Sequence, residues 1–270
     1  DYEGYWQGIA VHNGDPMTDP DYDNGIAPLI GGYPSGLVDR GSDINPSAFK
    51  QDFLQRIGIP PSGLITNGAE LINGNTLKVS LTVDFQTAVN GNYKLACIII
   101  EDSVTGTTPQ YYQANSYSGG GAGSLVDVDG TDWANLGSSV SASQMVYRHV
   151  GRSIAPSFTG GLLGSTSYNQ GDSETICFEF TLDPSWDQSQ IHIVGMLLDN
   201  SGLIDNGSST NITTAINTGY IDCGTTSIGV ELNGPNKINI YPNPATDNIY
   251  ISNLNTENTL VKIYDINGRL

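Results

Sequence analysis

The sequence predicts a mainly β protein with a partial α/β part at its N-terminus, and three observations carry that expectation. From Leu64 to about Asp222 apolar side chains recur at a spacing of two, the pattern of half-buried strands. The composition of 33 glycines and 14 tyrosines with a charged fraction of only 14% suits strands and turns better than long surface helices. Helical periodicity is confined to the stretch before Pro61. At 270 residues the chain accommodates two domains and a core of ordinary size.

Taken in order, Tyr5 to His12 is an apolar run suited to a central strand, and it ends in a polar loop that carries four aspartates. Tyr22 to Leu29 suits a short helix, and Gly31 to Asp39 reads as a turn entering a second strand. Asn45-Pro46-Ser47 is expected to cap a helix over Ala48–Ile57, with Phe49, Phe53, Leu54 and Ile57 at helical spacing. Thr76 to Gln86 then alternates Leu77, Val79, Leu81, Val83 and Phe85, a strand packed on one side. Asn90-Gly91 signals a hairpin into the mostly buried run Tyr93 to Asp102. Later strands are expected at Met145–Ile154, Glu174–Leu182 and Gln190–Asp199, separated by Gly/Ser-rich loops at Asn115–Ser124 and Asn200–Thr210. Strands at this density without helices between them predict an antiparallel β-sandwich over 62–222.

The last segment, 237–270, reads as short strands again, with Ile238 and Ile240, Ile249 and Ile251, and Val261 and Ile263 as paired inward positions. Pro242 and Pro244 remove ladder donors around Asn243, and Asn267-Gly268 suits a tight hairpin. Tyr241-Pro242-Asn243-Pro244-Ala245, followed by Val261-Lys262-Ile263-Tyr264-Asp265 and Gly268-Arg269, resembles the type A C-terminal sorting domain of the bacterial type IX secretion system. The resemblance implies export across the outer membrane of a Gram-negative bacterium, to the cell surface or the medium. It implies as partners the type IX machinery, a shuttle barrel of the PorV type and its translocon. Its sorting residues would be Tyr241, Pro242, Asn243, Pro244, Ile263, Tyr264, Asp265, Gly268 and Arg269. Such domains form a small β-sandwich that continues through further strands, so this one is expected to be incomplete at Leu270.

Gly8-Ile9-Ala10-Val11-His12-Asn13-Gly14-Asp15-Pro16-Met17, Gly31-Gly32-Tyr33-Pro34-Ser35-Gly36-Leu37-Val38-Asp39-Arg40 and Tyr147-Arg148-His149-Val150-Gly151-Arg152 carry a second resemblance, to the Omp-twenty-eight-related secreted and outer-membrane proteins. It implies a thioredoxin-like N-terminal region before a β-rich domain, with Tyr33, Pro34 and Ser35 as the cis-proline loop. The organisation expected is a partial thioredoxin-like domain at 1–61, the sandwich at 62–222, a linker at 223–236 and the sorting domain at 237–270. No Cys-x-x-Cys occurs in these residues. The leading expectation is therefore an exported cargo whose body binds or builds surface structure without catalysis. The alternative is an exported thiol-disulfide oxidoreductase whose cysteine pair lies upstream. Asp1-Tyr2-Glu3 lacks the charged and apolar regions of a signal peptide, so further residues are expected before it.

The formal net charge is −18. The tail carries Asp247, Glu257 and Asp265 against Lys237, Lys262 and Arg269, so it is neutral and the excess lies on the body. Such a surface repels nucleic acid and anionic lipid headgroups and attracts divalent cations. No apolar run is long enough for a membrane helix. Two acidic sets are candidates for calcium, Asp127, Asp129 and Asp132 on one turn and Asp19, Asp21 and Asp23 in the early loop. Neither has the EF-hand spacing, and solvated acidic turns are the simpler account of both. His12, His149 and His192 are each isolated in strand-like surroundings, which suits satisfied structural histidines. No Gly-x-Ser-x-Gly elbow occurs. Cys97 and Cys177 suit buried positions, and a disulfide involving Cys223 is open in an oxidising compartment.

Overall fold

Alternation at Leu77, Val79, Leu81, Val83 and Phe85 puts five fully buried side chains on one face of a single strand, and the first sheet is built around it. The computed structural model describes residues 4–45, 48–121, 123–127, 129–223, 239–241 and 250–252. The chain divides into two units, Asp1–Cys223 and Gly224–Leu270.

In the first unit, helices α1 (Pro20–Ile26) and α2 (Phe49–Arg56) precede β1 (Gly63–Ile72), β2 (Thr76–Phe85), β3 (Val89–Asn90) and β4 (Lys94–Glu101). A long excursion holds β5 (Gln113–Ala114) and β6 (Ser139–Val140). After it come β7 (Val150–Ala155), β8 (Gly161–Leu162), β9 (Ser167–Tyr168), β10 (Ser173–Thr181), β11 (Ile191–Leu198), β12 (Ile204–Asn211) and α3 (Ile212–Thr218). The first sheet has the order β1-β2-β10. The second has the order β12-β11-β4-β7, with β8 on the first residues of β4, and every pairing named is antiparallel.

The two sheets face each other across one core. Leu77, Leu81 and Phe85 of β2 and Phe178 and Phe180 of β10 meet Leu95, Cys97 and Ile99 of β4 and Ile191, Ile193 and Leu197 of β11. Asn67 of β1 is the buried polar bridge between them, its Nδ2 donating to the Ile193 carbonyl at 2.9 Å while Ser208 Oγ donates to its Oδ1 at 2.6 Å. The other face of the second sheet is buried as well. Ala96, Ile98 and Ile100 pack there with Val194, Met196 and Leu198, under Tyr22 of α1 and the partly buried Ile9, Val11 and Phe158.

The N-terminal residues thus form the cover of the second sheet, inside the same unit as the sandwich. The expected strand at Tyr5–His12 is reduced to one parallel bridge, Ala10 with Val150 at the start of edge strand β7, while Ile9 and Val11 pack against the outer face of the second sheet. The expected strand after Gly31 is likewise a single bridge, Gly36 with Ile44. Helix α2 starts at Phe49 behind Ala48, which makes no side-chain cap. The stretch Asn200–Thr210, expected as a loop, contains the edge strand β12. Its polar sequence hides it, since only one side of its ladder is needed for pairing with β11.

In the second unit, β13 (Asn239–Tyr241) and β14 (Tyr250–Ser252) pair antiparallel, with Ile240 opposite Ile251 and Tyr241 opposite Tyr250.

Candidate functional site

Two regions hold the side chains singled out by the sequence, the loops on the covered sheet and the tail. Asp19 caps α1, accepting from the Tyr22 amide at 2.7 Å, and partial burial raises its carboxyl above the ordinary range. Asp23 accepts from Asn13 Nδ2 at 2.7 Å and from the Tyr33 hydroxyl. Desolvation first, and then that hydrogen bond to a carboxylate, push the Tyr33 phenol up to about 12. The Tyr33–Pro34 peptide bond is cis, as is Ala155–Pro156. Ser35 donates to the Gly32 carbonyl, and Asp43 accepts from the Gly31 amide at 2.8 Å. Tyr33, Pro34 and Ser35 thus stand beside Asp23 and Asp43 on an exposed loop.

In the other acidic set, Asp129 accepts from the Thr131 amide at 3.0 Å, which lowers its carboxyl below the ordinary range. Asp132 caps the short turn Trp133–Asn135, accepting from the Ala134 amide at 3.0 Å and from Asn135 Nδ2 at 2.9 Å. Among the described residues no group of three or more His, Cys, Asp or Glu side chains is placed to hold a metal ion. The calcium candidates, Asp19, Asp21 and Asp23 with Asp127, Asp129 and Asp132, are therefore not gathered into a cage in this structure.

Two of the three histidines pair with aspartates, each separately. His12 Nδ1 lies 2.6 Å from Asp15 Oδ2, against the edge of the Tyr147 ring. Burial alone would raise the Asp15 carboxyl, but His12, the Met17 amide and Thr18 together hold it below its usual value. His149, at φ +56°, has Nδ1 3.3 Å from Asp102 Oδ1, while its backbone amide donates to the same oxygen at 2.7 Å. His192 sits in β11 opposite Ile100 and Asn211.

Cys97 is a buried free thiol of the core, and desolvation drives its pKa far above the ordinary thiol range. Cys177 and Cys223 form a disulfide with a Cα–Cα distance of 5.8 Å. Two features went unseen in the sequence. Arg152 of β7 forms a 2.8 Å ion pair with Glu101 of β4, both side chains almost fully buried. The Arg40 guanidinium lies 3.7 Å from the centre of the Phe158 ring and donates from Nη1 to the Phe158 carbonyl at 2.6 Å, fastening the N-terminal cover to the sheet. The unbroken run Ile98-Ile99-Ile100 was the available signal, since a strand apolar at every position needs a layer on each side.

Of the sorting residues, Tyr241 is the last residue of β13. Pro242, Asn243, Pro244, Ile263, Tyr264, Asp265, Gly268 and Arg269 lie outside the described residues.

Residues 239–270 match the family described as the secretion system C-terminal sorting domain. The tail marks the chain as cargo exported by the type IX system, to the cell surface or into the medium. Among solved structures, the chain is similar to HBP35 of Porphyromonas gingivalis, at 13% identity and a TM-score of 0.53, with 93% of this chain and 73% of that one covered. This is a likeness of fold. A domain of the outer membrane lipoprotein Omp28 from the same organism aligns at 10% identity and a TM-score of 0.29, covering 57% of this chain and 91% of that one. No curated protein matches the chain. Among the described residues no helix is long and apolar enough to cross a membrane.

Proposed function

We propose that the chain is a type IX cargo whose body, akin to the Omp-twenty-eight-related proteins, serves at the cell surface by binding or as surface structure. The sorting-domain match at residues 239–270 carries the reading. Several of the body's polar groups are engaged in internal pairs, Glu101 with Arg152, His12 with Asp15 and His149 with Asp102. Tyr241 to Pro244 and Ile263 to Arg269 would be the contacts to the shuttle barrel. The thioredoxin-like character of residues 1–61 is part of the same proposal, with Tyr33, Pro34 and Ser35 as its loop.

The test is deletion from Lys237 onward in the native host. The truncated body should accumulate inside the cell envelope and disappear from the surface and the medium. Unchanged delivery of the truncated body would overturn the reading.

A further inference from the structure

Across the outward face of the first sheet, Gly68 of β1, Ser80 of β2 and Cys177 of β10 stand in one cross-strand row, Gly68 opposite Ser80 and Ser80 opposite Cys177. The five residues after α3, Gly219 to Cys223, run across this row and touch each member of it. The Gly219 carbonyl lies so close over Gly68 that a Cβ there would stand 2.0 Å from its oxygen. The Ile221 amide donates to Ser80 Oγ at 3.0 Å. Cys223 closes the disulfide with Cys177. Between these points the Lys78 ammonium lies 5.9 Å from the Tyr220 ring centre. The segment turns out of α3 at Gly219, whose φ of +93° a side chain would oppose.

The segment lies at the surface, with Ile221, Asp222 and Cys223 exposed, so it buries little apolar area in return for the entropy lost in ordering it. The Gly219 amide donates to the Ala215 carbonyl at 3.1 Å and the Ile221 amide to Ser80 Oγ, neutral hydrogen bonds of modest net worth. The disulfide is the covalent tie that holds its far end to β10. Cys223 is also solvent-exposed, so a reductant can reach its sulfur.

We propose that Gly219–Cys223 is a redox-locked strap on the outer face of the first sheet. Oxidised, it covers the row Gly68, Ser80 and Cys177. On reduction a dithiol donates two electrons and two protons to the Cys177–Cys223 bond and closes its own disulfide, leaving two thiols on the protein. The strap then lifts and bares the row, while the sandwich core stays folded. In an oxidising compartment the strap is shut, and a thiol-rich one opens it.

The experiment compares the oxidised full chain with the same chain after treatment with dithiothreitol, read by amide hydrogen exchange. The Ile221 amide should exchange at least about a hundredfold faster after reduction, and chymotrypsin should then cut after Tyr220, with the amides of β4 and β11 unchanged. The double variant Cys177→Ser, Cys223→Ser should match the reduced protein without any reductant. An Ile221 amide that stays protected in both would mean the contacts alone hold the segment, and the lock would be refuted. Loss of protection throughout β4 and β11 would refute it too, because the bond would then staple the whole body. Gly68→Val, with both cysteines kept, should expose Tyr220 to chymotrypsin even when oxidised; a resistant Gly68→Val protein would show that the strap does not need the row it crosses.

Discussion

The strands at the centres of the two sheets differ in what covers them. In β2 every second residue faces the core and the others face outward, so Lys78, Thr82 and Asp84 alternate with Val79, Leu81 and Val83. In β4 both sides are covered, and Leu95 to Ile100 is apolar without a break. Among the described residues the first sheet has only a strap on its outer face, whereas the second has an N-terminal cover that includes α1, Tyr22 and Arg40. The N-terminal stretch thus belongs energetically to the second sheet, whose outer face it buries.

Breaking the second sheet should therefore cost most. Arg152→Ala strands the buried Glu101 carboxylate, which also accepts from the Asp187 amide at 2.7 Å, and should remove about 3–5 kcal/mol in urea unfolding. A loss under about 1 kcal/mol would show that water reaches Glu101. Ile98→Ala, on the face beneath Tyr22, should cost about 2–5 kcal/mol, as a core strand with one sheet face open would not.

Gly25→Ala tests the cover directly. Its Cβ would fall 2.2 Å from Phe158 Cβ, so α1 must move away, at a cost of about 1–3 kcal/mol. Tryptic or chymotryptic release of the N-terminal residues ahead of the core would report it. Thr82→Ala, on the outward face of β2, removes only the 2.8 Å hydroxyl contact with Thr175 and should stay within about 1 kcal/mol of the parent.

The smallest expected effect is electrostatic. The Asp15 carboxyl is held below its ordinary value in the folded chain, so it stabilises the fold above the unfolded carboxylate range, and that contribution is lost as pH falls through the folded value. Acid titration should therefore release the His12 loop below about pH 4. Asp15→Asn should abolish this step while leaving the neutral-pH fold in place, measured by the acid-unfolding midpoint.

Much of the sandwich was legible because burial on one face writes itself as alternation. The strands around Leu77, Ile98, Phe178 and Ile193 all lie where the pattern places them. The N-terminal run Tyr5–His12 was not legible as a cover, since its apolar pattern is the same whether a single bridge or a full ladder joins it to the sheet. Strand β12 was hidden for the opposite reason, its polar residues suiting an edge as well as a loop. The disulfide was readable only as an option at Cys223. Its partner and the row beneath it depend on register, which pairs Gly68, Ser80 and Cys177 from three distant places in the chain. The tail was legible from sequence, because its matching residues lie in one contiguous segment, 239–270, and need no register with distant strands to be read.

The position of β4 in the sequence has a consequence for timing. Its neighbours in the sheet are β7, about fifty residues later, and β11, about a hundred residues later, so neither ladder can close on a nascent chain until those residues have emerged. The N-terminal cover is made first but has no sheet to lie on until the last of them arrives. Such a chain should condense late, after most of its synthesis. The long-range pairing that stabilises the finished body thus also delays the moment at which it can form.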